Sequence, residues 1–220
     1  MLVRHFMTRH VVTLKEGLRC REALQMFKEK QIRRAPVVRG DKVVGMISLV
    51  DLLRILPGSV GELNTRSGMV NEASIVGQVM STRLVTLHPE EHLEDAARKM
   101  LSHKIGGMPV LLDGKLEGVL TESDIFRAFV GMTDSSGELR ITFALQSGRK
   151  EAPDPILIAL RLSFHVRGYL VHERPGGEEL AILRLTGHKK DELVEALVQS
   201  GYAVIEIVDA QPGASDRPAA

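Results

Sequence analysis

The chain has 220 residues, 44% hydrophobic and 26% charged, an ordinary globular balance with material for one large core or several small ones. Its 29 basic residues against 28 acidic ones leave no global field to recruit nucleic acid, and 4% aromatics without tryptophan give few stacking platforms for single strands. One cysteine excludes an intramolecular disulfide framework, and the sequence shows neither a bilayer-length apolar run nor a secretory leader, so a cytoplasmic protein is expected.

In chain order, residues 11–14 read as a short extended piece. A helix follows whose apolar face carries Ala23, Leu24 and Phe27, with Ile32 further on. Strands over 35–39 and 42–48 flank the turn Gly40-Asp41, where small and Asx residues tolerate positive φ. A closing helix starts at Leu49. Residues 57–75, rich in Gly, Ser and Asn, read as a crossing linker. The same order then returns. An extended piece at 84–87 leads to a helix marked by Leu93, Ala96, Ala97, Met100 and Leu101, with Pro89 suited to its first turn. Strands over 108–112 and 116–121 surround Asp113-Gly114, and a helix opens at Glu122.

After a break at 131–137 the pattern changes. A strand is expected over 140–146, then a helix capped by Asp154-Pro155 and running through Ile156, Leu157, Leu160 and Phe164 to a stop at Gly168. A hairpin, 169–174 with 179–185, turns at Pro175-Gly176-Gly177. A helix over 189–200 and a strand over 202–208 close a β-α-β-β-α-β order, a split βαβ, ferredoxin-like arrangement. Residues 210–220 have the composition of a disordered tail.

The return of the first pattern is an ungapped internal repeat. Met7 matches Met80, Val12-Thr13-Leu14 matches Val85-Thr86-Leu87, and Ala23 matches Ala96. Ile32 matches Ile105, Pro36-Val37 matches Pro109-Val110, and Gly45, Asp51 and Arg54 match Gly118, Asp124 and Arg127. Each β-α-β-β-α copy is too small to bury enough surface alone. Two copies packed sheet against sheet form a pseudo-twofold module with two equivalent clefts, and the whole chain is of α/β (α+β) class.

The segment from Gly45 to Asp51 and its match from Gly118 to Asp124 have a readable chemistry. Ser48 and Thr121 leave a strand where a helix begins, so a hydroxyl and nearby backbone N–H groups can face an anion. Asp51 and Asp124 lie in the first turn, where a carboxylate can accept two hydrogen bonds from the paired hydroxyls of a ribose. The plain alternative is that Ser48 and Thr121 are N-caps and the aspartates only favour the helix dipole. Arg33-Arg34 precede Pro36, as phosphate partners or as a solvated loop, whereas Gly106-Gly107 precede Pro109 with His103-Lys104 upstream. Two sites of unequal affinity are expected.

The pattern x-Pro-Val, a turn, then Gly-h-h-Ser/Thr-x-x-Asp, present twice in register, resembles the CBS domain, whose tandem pairs are called Bateman modules. The resemblance implies repeats at 1–56 and 76–131 that bind AMP, ADP, ATP or an S-adenosyl compound as a regulatory ligand, with no obligatory cofactor. It implies that Asp51 and Asp124 hold ribose, that Ser48 and Thr121 lie near phosphate, and that Thr13 and Thr86 touch base or ribose. Ala35 and Met108 would line an apolar slot for a purine face. Residues 138–209 resemble the ACT domain in topology, and CBS-CBS-ACT is the arrangement of acetoin-utilisation B (AcuB)-like proteins. The segment 147–156 lacks the glycine that amino-acid-binding ACT domains carry at the helix entry, so this unit is expected to dimerise rather than bind an amino acid.

His88 and His92 stand at i, i+4, but Pro89 between them and the lack of a third ligand favour a solvated pair over a metal site. Cys20 lies inside the first helix and reads as packing. No Walker loop, G-x-S-x-G or HExxH is present, so a regulatory protein is expected rather than an enzyme. It is expected to act as a homodimer, with or without a further protein partner, and the other reading is an adaptor with vestigial clefts.

Overall fold

The computed structural model describes residues 1–54, 74–133, 138–145 and 153–209; most of the expected linker and the whole expected tail lie outside them. The chain divides into two compact units, Met1–Met132 and Thr133–Ala220. Among the described residues no helix is long and apolar enough to cross a membrane.

The first repeat of unit one comprises β1 (Leu14–Lys15), α1 (Cys20–Glu29), β2 (Arg34–Arg39), β3 (Lys42–Ser48) and α2 (Leu49–Leu53). The second follows as α3 (Val76–Val79), α4 (Leu93–His103), β4 (Gly107–Leu112), β5 (Lys115–Thr121) and α5 (Glu122–Thr133). β2 and β3 pair antiparallel, as do β4 and β5. The turns between them place Gly40, Asp113 and Gly114 at positive φ. The opening strands are shorter than expected. Only Leu14–Lys15 pairs with β2, and the segment 84–87 contributes a single bridge from Leu87 to Val110. Both β-hairpins shift register beside these contacts, at Val37/Val38 and Val110/Leu111, and such bulges bend a strand away from its neighbour.

α4 begins at Leu93 rather than around Pro89. The Glu91 carboxylate accepts from the His88 N–H (2.8 Å), and the Glu91 N–H donates to the His88 carbonyl (3.1 Å), closing a separate turn that contains Pro89. Leu93, Ala96 and Met100 form the buried stripe; Leu101, about 100° further round the helix, is 78% exposed.

The two repeats exchange their leading segments. The Val3 N–H donates to the Glu91 carbonyl (2.9 Å) and the Leu93 N–H to the Met1 carbonyl (2.8 Å). At the matching places the Val76 N–H donates to Leu18 (2.8 Å) and the Cys20 N–H to Ser74 (2.9 Å). Thr8 and Val119 exchange two backbone hydrogen bonds, as do Ser81 and Met46. Val3 and Met7 therefore complete a core with Leu87, Met100, Met108 and Val110, while Val76 joins Leu14, Phe27, Val37 and Ile47. Gly45 and Gly118 permit the crossing. A Cβ on Gly118 would lie 2.7 Å from Met7 Sδ and 2.9 Å from the Thr8 carbonyl, and one on Gly45 would collide with Met80 and reach 3.0 Å from the Ser81 carbonyl.

Unit two comprises β6 (Leu139–Leu145), α6 (Pro155–Arg161), β7 (His165–Glu173), β8 (Glu179–Thr186), α7 (Lys190–Gln199) and β9 (Ala203–Asp209). Its antiparallel sheet has the order β7-β8-β6-β9, which is the split βαβ arrangement. Ile141, Phe143, Leu183 and Leu185 pack against Ile158, Leu193 and Leu197 from the helices. Asp154 caps α6, accepting from the Ile156 N–H (2.7 Å). That helix stops at Arg161, well short of Gly168. Ser163 turns into the left-handed region (φ 63°), which buries Phe164 against Gly187, and Gly168 lies within β7 at a register shift. Glu138 accepts from Arg184 Nε (3.1 Å) and Nη2 (2.8 Å), a buried ion pair at the edge of the core.

Candidate functional site

Each repeat places its Ser/Thr and Asp identically. The Ser48 N–H (2.9 Å) and hydroxyl (2.6 Å) donate to Asp51 Oδ2, and the Thr121 N–H (2.8 Å) and hydroxyl (2.6 Å) donate to Asp124 Oδ2. The Asp51 N–H returns a bond to Ser48 Oγ at 3.3 Å, closing a capping box. The surroundings differ. Asp124 is 3% exposed and accepts on Oδ1 from Arg127 Nη1 at 2.6 Å. Asp51 is 30% exposed, with Arg54 3.9 Å away.

A cavity of about 260 Å³ lies at the second of these pairs. Thr121, Asp124 and Arg127 from repeat two form one wall, with Glu122, Ser123 and Gly106. Repeat one supplies the other: Thr8, His10, Val11 and Val12 from its leading segment, and Gln31 to Arg34 with Pro36 from the approach to β2. Arg33 and Arg34 thus face the aspartate of the other repeat, not Asp51 of their own. The crossing of the leading segments, which ties Thr8 to Val119, sets this combination.

Arg33 Nη2 donates to Ser123 Oγ at 3.1 Å, across the two repeats. Arg34 lies over Gly106 and Gly107; a Cβ on Gly106 would fall 2.5 Å from Arg34 Nη2 and 2.6 Å from Glu122 Oε2. The guanidinium and the Glu122 carboxylate therefore share one small region. Burial holds the Arg34 pKa below the usual guanidinium value, Glu122 acts against that shift, and Arg33 adds to it. The glycines that replace an Arg-Arg pair in repeat two are what admit Arg34.

The other expected site residues lie elsewhere. Thr13 and Thr86 are half-buried and outside the cavity wall, and Ser48 and Asp51 belong to the matching position. Ala35 and Met108, expected to line a purine slot, are fully buried in the cores of repeats one and two. The apolar residues on the wall are Val11, Val12, Ile32, Pro36 and Val119. Sequence reasoning passed over Thr8 and His10, because nothing in one repeat's motif says that the other repeat's leading segment completes its cleft, and over Glu122 and Ser123, which fill the unspecified positions between Thr121 and Asp124. Cys20 is buried in the first core, and burial pushes its thiol pKa up. His88 and His92 are exposed, and among the described residues no group of three or more His, Cys, Asp and Glu is placed to hold a metal.

Comparisons with known proteins agree with this architecture. The CBS domain pair of protein MJ0100, in complex with 5′-methylthioadenosine and S-adenosyl-L-methionine, is 25% identical with a TM-score of 0.51, covering 60% of this chain and 97% of that one. A putative acetoin utilization protein (AcuB) from Vibrio cholerae is 27% identical with a TM-score of 0.51, covering 61% and 93%. CBSX2 in complex with AMP is 29% identical with a TM-score of 0.50, covering 60% and 98%. The chain spans 41% and 38% of two Methanocaldococcus jannaschii relatives at 29% and 30% identity, and 23% of a Methanohalobium evestigatum homoserine O-acetyltransferase at 31%. The CBS domain model matches residues 3–58 and 76–131, half of the chain, and so the protein belongs to the CBS domain family and carries that domain as a tandem pair.

Proposed function

We propose that this protein is a regulatory sensor whose tandem pair binds an adenine nucleotide or a related adenosine derivative. The carrying observation is the cavity that joins Thr121 and Asp124 of one repeat to Arg33 and Arg34 of the other. A ligand there touches both repeats and favours the relative arrangement that binds it better, which is all that allosteric coupling requires. In this reading Asp124 turns from its capping role to the ribose hydroxyls, and the Thr121 hydroxyl and the arginines face phosphate. Ser48 and Asp51 serve a second, weaker site, with Thr13 and Thr86 beside the base or ribose. MJ0100 and CBSX2, with their adenosine ligands, support the ligand class. The C-terminal unit is an ACT-like domain that pairs with a second copy and receives the signal, itself or with a partner.

The test is a calorimetric panel of AMP, ADP, ATP, GTP, NAD and S-adenosylmethionine, with solution mass measured in parallel. Binding by an adenosine compound, weakened at least tenfold by Asp124→Ala and less by Asp51→Ala, with a mass of two chains, is expected. Binding unchanged in both variants removes the ribose assignment. A second reading, an adaptor with vestigial clefts, is favoured by one observation: both aspartates bond back to the Ser48 and Thr121 that open their own helices. No binding to any compound selects it.

A further inference from the structure

The cleft has a charge inventory that narrows the ligand. Among the described residues three arginines face it, Arg33, Arg34 and Arg127, against two carboxylates, Glu122 and Asp124. Asp124 is matched by Arg127 at 2.6 Å, and Glu122 lies in the same small region as the Arg34 guanidinium. Arg33 and Arg127 are both exposed, but where Arg127 donates to a carboxylate the hydrogen bond of Arg33 goes to the neutral hydroxyl of Ser123. The described residues of the wall therefore carry a net excess of one positive charge, and that charge belongs to repeat one.

We propose that the cleft is selective for a nucleoside monophosphate, whose phosphate displaces Ser123 from Arg33, and that Glu122 limits the negative charge the site accepts. This rests on the adenosine-ligand reading above. A phosphate monoester carries about −1.5 to −2 charges at pH 7, a close match to the Arg33 guanidinium with Arg34 beside it. A triphosphate brings a far larger charge past the Glu122 carboxylate, where like charges repel. The sulfonium of S-adenosylmethionine brings a cation against Arg33 and is disfavoured for the opposite reason. Volume points the same way: about 260 Å³ falls just below the roughly 300–1,000 Å³ of pockets for drug-sized ligands, which fits a mononucleotide better than a dinucleotide. The matching position offers no such anchor, since Gly106 and Gly107 stand where Arg33 and Arg34 would be.

The experiment is calorimetry of AMP, adenosine, ATP and S-adenosylmethionine with the native protein, Arg33→Ala and Glu122→Gln. In the native protein AMP should bind about tenfold tighter than each of the other three. Arg33→Ala, a change at an exposed side chain, should bring AMP down to the level of adenosine while adenosine itself is unchanged. Glu122→Gln, which keeps the shape and removes the charge, should narrow the gap between AMP and ATP. Equal binding of AMP and adenosine, ATP tighter than AMP, or an AMP preference that survives Arg33→Ala overturns this inference and leaves the sensor standing. An unchanged AMP-to-ATP ratio in Glu122→Gln overturns the role of Glu122. Failure of all four compounds to bind removes both readings together.

Discussion

The two repeats have the same elements in the same order, yet they are chemically unlike where they meet. Repeat one brings Arg33 and Arg34 to the shared boundary, and repeat two brings Gly106 and Gly107, so that the side chains of one occupy the space conceded by the other. Asp124 is closed off by Arg127, while Asp51 stays open to solvent with Arg54 more distant. Duplication supplies two equivalent frames, and a few residues at the pseudo-axis decide which frame becomes a charged cleft. The difference lies in the boundary and not in the cores.

Unfolding measurements test that contrast. The largest effect is expected from emptying a core. Phe27→Ala in repeat one should cost about 3–5 kcal/mol, and Met100→Ala in repeat two about 2–5 kcal/mol. Because each core holds residues of the other repeat's leading segment, either loss should lower one shared unfolding transition of unit one. Two separately moving transitions in denaturant unfolding would show that the repeats are energetically independent. A smaller effect is expected where the segments cross. Gly45→Ala and Gly118→Ala each force a backbone carbonyl and a methionine to move, at about 1–3 kcal/mol. Similar losses in equilibrium unfolding support a symmetric crossing, and a neutral Gly118→Ala argues against the close approach to Thr8.

The smallest effect separates Cys20 from its match, Leu93. Burial raises the thiol pKa in the folded state. The folded state therefore favours the protonated thiol, so this contribution is complete below the unfolded value near 9 and is lost as pH rises through the higher folded value. Above pH 9 the native protein should lose stability faster than Cys20→Ala, read as a difference in unfolding midpoints across pH. Parallel pH curves for the two proteins would remove the effect.

The repeat itself was legible in the sequence, because Pro36-Val37, Gly45 and Asp51 recur in register with Pro109-Val110, Gly118 and Asp124. The exchange of leading segments was not. Met7 and Met80 occupy equivalent positions, so a segment folding onto its own repeat and one folding onto the other leave the same pattern of residue types. Because of that ambiguity the sequence does not say which aspartate Arg33 and Arg34 accompany, and space gives them to Asp124. Ala35 and Met108 have fully buried side chains, which the sequence does not foretell, since apolar residues beside a cleft and apolar residues under it read alike. In the C-terminal unit the apolar period runs on through Phe164, and only the left-handed turn at Ser163 shows that this side chain is buried after the helix has ended.

The exchange of leading segments also orders events during synthesis. Domains generally fold from the N-terminus as the chain emerges, but here the first repeat lacks Val76 until the second repeat has begun to appear. Met1 to Met7 must wait longer still, until Met100, Met108 and Val110 have been made. A nascent chain that has produced only the first repeat therefore leaves both the core that Val76 completes and the apolar side chains of Val3 and Met7 without their partners. Residues 1–7 are therefore among the last of unit one to find their place.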